Sequence, residues 1–127
     1  MAFKLTTRIL GEVTVFDLSG RLEIGEGSVM LRETLQSTSA AAKVLINLTD
    51  VSFVDTSGLG ELVSAHTRAQ NAGTQLKLTG IPSRVEKLFQ TTRLDRIFDV
   101  YDNEADAIES WGESPFASDR MLSETVV

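Results

Sequence analysis

Residues 53–62, FVDTSGLGEL, place a carboxylate, two hydroxyls and two glycines in succession directly after an apolar run. A serine flanked by glycine points first to hydrolysis, with Ser57 as nucleophile and a neighbouring base to take its proton. That base must lie within hydrogen-bond reach, about 3 Å. The chain holds one histidine, His66. It follows Ser57 by nine residues, which along one continuous helix amounts to about 13 Å at roughly 1.5 Å per residue. A Ser-His dyad within one chain is excluded. His66 also continues an apolar stripe, which suits a packed core histidine better than a ligand. The glycine spacing matches neither the nucleophile elbow nor the phosphate-binding loop.

A second chemistry makes Asp55 a phosphoryl acceptor, as in response-regulator receiver domains. It requires magnesium held by further acids at the end of an early strand, and a lysine after the last strand. Here the first two strands form a hairpin, and RIFDVY is followed by Asp102 and Asn103 with no lysine. What remains is Ser57 as the substrate of another protein's chemistry. In the first turn of a helix, a phosphate on its hydroxyl would meet free backbone N–H groups and the positive end of the helix dipole. Gly58 and Gly60 would let an enzyme approach the backbone closely. The plainer reading is helix capping by Asp55, Thr56 or Ser57. It leaves the two glycines unexplained, because glycine in a helix costs propensity.

The elements that must position these residues follow from periodicity. FKLTTRIL and VTVFDL read as strands joined through Gly11 and Glu12, a two-residue hairpin signal. SVMLRETLQSTSA is helical, with Leu31 and Leu35 on one face. KVLINL, residues 43–48, is a continuous apolar run of strand length, expected for a central strand buried on both faces. Leu59, Leu62, Val63 and His66 recur at helical spacing, and Gly73 stands where a C-terminal cap belongs. TQLKLTG alternates as a strand. PSRVEKLFQTT starts a helix with Pro82 in its first position, RIFDVY is a last strand, and NEADAIESW is a short helix that Asn103 can cap. The order ββαβαβαβα predicts a single α/β domain over residues 1–111, a mixed central sheet with an N-terminal antiparallel hairpin and helices packed on it. Residues 112–127 carry no sustained periodicity and are expected to form a disordered tail, with Trp111 packed at the boundary.

Size and charge bound the function. A chain of 127 residues supports one core and buries roughly two thirds of its unfolded surface. Its 42% apolar and 24% charged residues are those of a folded globular domain. A formal charge of -6 repels phosphate backbones and anionic lipid surfaces, so nucleic acid is not an expected partner, and no apolar stretch approaches the roughly 18 residues of a membrane span, so no membrane insertion is expected. The absence of cysteine removes disulfides, thiolate metal sites and thiol nucleophiles. The start MAFKLTTRIL lacks the apolar core and cleavage site of a signal peptide, and a cytoplasmic location is expected.

VSFVDTSGLGEL resembles the signature of the STAS domain, in particular that of the anti-sigma factor antagonists of bacterial partner-switching systems. The stretches VFDLSGRLE and GIPSRVEKLFQTTRLDRIFDVYDNEADAI are similar to the same family, and the likeness spans residues 4–111. The resemblance implies that Ser57 is the phosphorylated serine, with Thr56 the second candidate, and that Asp55 and Gly58 support it. It implies that Leu22, Glu23, Thr56, Gly60, Glu61 and Ser64 face the partner; many relatives carry aspartate where this chain has Glu23. The implied partner is an ATP-dependent serine kinase of the histidine-kinase-like ATPase fold, which doubles as the anti-sigma factor, with a separate serine phosphatase resetting the switch. Nucleotide and magnesium would belong to that kinase, so no cofactor or metal and no enzymatic activity is expected of this chain. The alternative is a STAS subunit of a signalling scaffold or lipid-transport complex in which Ser57 is never phosphorylated.

Overall fold

In the computed structural model, residues 3–37 and 43–112 are described. Strand β1 (Lys4–Leu10) turns into β2 (Val13–Leu22) through Gly11 and Glu12. Gly11 takes a positive φ of 62°, and Leu10 pairs directly with Val13, so two residues close the hairpin as expected. Three further strands, β3 (Lys43–Val54), β4 (Gln75–Thr79) and β5 (Asp99–Tyr101), add in parallel, giving a five-stranded mixed sheet in the order β1-β2-β3-β4-β5.

The pleat of the two central strands divides the core. Phe16, Leu18, Val44 and Ile46 point to the larger cluster, with Leu31 of helix α1 (Glu26–Ser37), Leu59 and Leu62 of α2 (Thr56–Ala72), and Val85 and Phe89 of α3 (Ser83–Thr91). Val13, Val15 and Leu45 point the other way, against Ala107 and Ile108 of α4 (Glu104–Ser110) and Trp111. Over Val44–Ile46 strand β3 is therefore buried on both faces, which is why those three successive residues are apolar.

Several boundaries differ from the sequence expectation: β2 continues beyond Leu18 to Leu22, and α1 begins at Glu26, two residues before Ser28. Strand β3 runs six residues beyond Leu48, to Val54. Thr49 and Asp50 interrupt the apolar run because they are exposed, while Val51 and Val54 return to the core and pairing with β2 continues through register shifts at Asp17/Ser19 and Gly20/Arg21. Pro82 caps α3 and is not its first helical residue. The last strand shrinks to Asp99–Tyr101 because Leu94–Arg96 wind into a 3-10 turn entered through Arg93 at φ 62°. Asn103 caps α4 as expected, accepting from the Asp106 N–H at 2.9 Å. Trp111 packs on the domain, its Nε1 donating to Gln75 Oε1 at 2.8 Å and its ring lying 4.4 Å from Lys77 Nζ. The tail expected from residue 112 lies, apart from Gly112, outside the described residues. Among the described residues no helix is long and apolar enough to cross a membrane.

Candidate functional site

Because β3 continues to Val54, Asp55 stands directly between strand end and helix start. Its extended backbone, φ -96°, makes it the N-cap of α2. Oδ1 accepts from the Gly58 N–H at 2.8 Å and Oδ2 from the Ile24 N–H at 3.0 Å, while its own N–H donates to the Leu22 carbonyl at 3.2 Å. One side chain thus satisfies an orphan donor of α2 and pins the loop between β2 and α1. Burial pushes the Asp55 carboxyl up, but the backbone N–H groups of Gly58, Ile24 and Ser57 together outweigh it and hold the group below its ordinary value.

Helices α1 and α2 run side by side from this point with their turns in register. Ser28 Oγ lies 3.2 Å from Ser57 Oγ, and one turn further Arg32 Nε meets Glu61 Oε2 at 3.3 Å. Four residues separate both pairs on both helices, the repeat at which one helical face returns. Ser28 is 3% exposed and also donates its hydroxyl to the Glu23 carbonyl at 2.9 Å. Ser57 is half-buried, whereas Thr56, Gly60 and Ser64 are exposed. At the far ends of the same two helices a cavity of about 370 Å³ opens, lined by Leu35, Ala65, Arg68 and Ala69 among others and by none of the site residues.

The two glycines of the motif have different causes. A Cβ at Gly58 would stand 2.3 Å from the Leu22 carbonyl oxygen, so this glycine exists because α2 crosses the β2 end at backbone contact. Gly60 faces open space. Gly58 is buried and is not a free surface for an approaching enzyme. Leu22, expected on the partner surface, is fully buried and reaches the site only through its carbonyl. Glu23 is tied to Arg21 at 2.9 Å and Glu61 to Arg32. His66 lies on the same continuous helix as Ser57 and packs edge-on against Phe98, ring centroids 5.3 Å apart. Among the described residues no group of three or more His, Asp or Glu could hold a metal.

Two residues escaped the sequence reading. Ile24 is 77% exposed beside the Asp55 cap; its signal is an isoleucine set between glutamate and glycine in RLEIGEG. Ser28 left no signal, because its partner is 29 residues away in the chain.

The family model of the STAS domain matches residues 4–107. The anti-sigma-B factor antagonist of Bacillus subtilis is 29% identical over 84 residues, 66% of this chain and 77% of that protein. Its counterpart from Listeria monocytogenes is 36% identical over 55 residues, 43% of this chain and 48% of that one. Among solved structures, an anti-sigma factor antagonist from Mycobacterium paratuberculosis superposes with a TM-score of 0.76 at 20% identity, covering 88% of this chain and 96% of the other. The Bacillus cell fate determinant SpoIIAA in its phosphorylated form superposes with 0.65 at 22%, covering 86% and 98%. A sulfate transporter family protein from Wolinella succinogenes superposes with 0.71 at 18%, covering 90% and 89%. At such identities the structural likenesses speak for the fold alone. With the family model covering most of the chain, and with hairpin, parallel strands and capped second helix in the expected order, the chain belongs to the STAS domain family.

Proposed function

We propose that this chain is an anti-sigma factor antagonist that binds a serine kinase/anti-sigma factor while Ser57 is unmodified and is released when Ser57 is phosphorylated. The observation that carries the reading is the placement of Ser57 in the first turn of α2, beside a capping carboxylate and three residues before a glycine open to solvent. The curated relatives named as anti-sigma-B factor antagonists support it. In this reading Ile24, Thr56, Gly60 and Ser64 supply exposed surface, and Glu23 and Glu61 border it. The partner is an ATP-dependent kinase of the histidine-kinase-like ATPase fold, a serine phosphatase restores the free hydroxyl, and this chain is a binding module and substrate with no catalysis of its own, acting in the bacterial cytoplasm.

Release follows from local charge. A phosphoserine adds about -1.5 to -2 charges at neutral pH, which the contact surface would have to desolvate or pair for the partner to stay bound. The experiment is capture of partners from the native cell extract, then incubation of this chain with the captured kinase and ATP. One phosphate on Ser57 by peptide mapping is the expected result. Phosphate on Thr56, or none with a kinase that binds, contradicts the reading.

A further inference from the structure

The Ser57 hydroxyl belongs to a directed relay. Ser28 has one hydroxyl proton and gives it to the Glu23 carbonyl at 2.9 Å. Across the 3.2 Å between the two hydroxyls, Ser57 must therefore donate and Ser28 accept. A hydroxyl that donates is a better acceptor, so the two bonds strengthen each other. Ser28 is 3% exposed, and its backbone N–H also donates to Glu23 at 3.2 Å, which fixes it against the loop. The Ser57 side chain is consequently held by a rigid partner, with its proton turned toward Ser28 and its lone pairs turned away.

We propose that Ser28 is a positioning residue for phosphoryl transfer to Ser57, an inference that rests on the phosphorylation reading above. The relay holds Oγ in one rotamer and raises its electron density. In the transfer, a lone pair of Ser57 Oγ forms the new P–O bond. The bond from the γ-phosphorus to the bridging oxygen breaks, and its electrons leave on ADP. The Ser57 proton passes to a carboxylate or imidazole base of the kinase as its bond to Ser28 is given up. Exposed Thr56 stands outside the relay, so the same device selects between the neighbouring hydroxyls.

Two variants separate hydrogen bonding from packing. Ser28→Ala removes the acceptor and leaves a slightly smaller side chain, and Ser28→Cys fills the site with a somewhat larger group that hydrogen-bonds much more weakly. Three-bond couplings measured by NMR on the full chain should show one Ser57 χ1 rotamer in the wild type and averaging in both variants. With ATP and the kinase captured from the native extract, both variants should lose at least fivefold in kcat, keep KM for this chain within about twofold, and shift phosphate toward Thr56. A cysteine variant that behaves like wild type while alanine is slow would assign Ser28 a packing role and overturn the proposal. Unchanged kcat and a single rotamer in both variants would overturn it while leaving Ser57 phosphorylation intact. A wild-type chain that binds the kinase but takes no phosphate would overturn both.

Discussion

Gly58 and Gly60 are two residues apart and carry opposite expectations. Alanine at 58 must push its Cβ into the Leu22 carbonyl, 2.3 Å away and part of the backbone. Gly58→Ala should destabilise by about 1–3 kcal/mol, the usual cost of overpacking. Alanine at 60 meets nothing within 4 Å and should stabilise by about 1 kcal/mol through helix propensity. Thermal melts of the two variants check this; equal shifts would contradict it. Asp55 adds a pH dependence with a defined sign. Its folded pKa lies below the ordinary value, so its contribution is complete above the unfolded pKa of about 3.9 and is lost as pH falls through the lower folded value. The stability difference between wild type and Asp55→Ala should be about 1 kcal/mol at neutral pH, typical of a lost cap, and should shrink below about pH 4. A difference that stayed constant to pH 2 would refute the cap's ionic character. Asp55 and Ser57 were legible in the sequence because helix starts have a local grammar. The burial of Leu22 and the reason for Gly58 were not, since both arise where α2 crosses a strand more than 30 residues earlier in the chain.

The unit that holds the site is the pair of parallel helices, α1 and α2, whose first two turns meet residue for residue at Ser28 with Ser57 and Arg32 with Glu61. The second pair is an ion pair at the surface, with Arg32 43% and Glu61 18% exposed in their side chains. Such pairs contribute little. Glu61→Gln should cost less than about 1 kcal/mol in a denaturant titration, and a larger loss would mean that the pair locks the two helices. Elements with one strong period were readable from sequence: the hairpin around Gly11, the helix from Thr56 to the Gly73 cap at φ 76°, and the Asn103 cap. Length was misjudged where burial and composition part company. Strand β3 passes through exposed Thr49 and Asp50 because pairing with β2 resumes at Asp50 and the buried Val51 and Val54 carry it on to the motif.

At the scale of the whole molecule, α4 is followed by Trp111, which reaches back to Gln75 and Lys77 on β4. Among the described residues, the two packed clusters run from Phe3 to Trp111. A chain ending at Gly112 should melt within a few degrees of the full chain, whereas Trp111→Ala should lower Tm by more; about 1 kcal/mol corresponds to roughly 4 °C at this size. A large loss on truncation would show that residues 113–127 dock on the domain. The central claim is that one phosphate toggles a contact surface without changing the fold. A carboxylate of the partner brought within about 4 Å of the added charge would be repelled by on the order of 4 kcal/mol before relaxation and salt reduce this. A quarter of that repulsion weakens binding about fivefold, and steric interference at the contact adds to it. The most direct measurement is the affinity of Ser57→Ala and Ser57→Asp for the captured kinase, taken with circular dichroism spectra and melting curves of both. The account predicts persistent binding by the alanine variant and at least tenfold weaker binding by the aspartate variant, with matching spectra and nearly equal Tm; equal affinities, or an aspartate variant that fails to bind because it has unfolded, would contradict it.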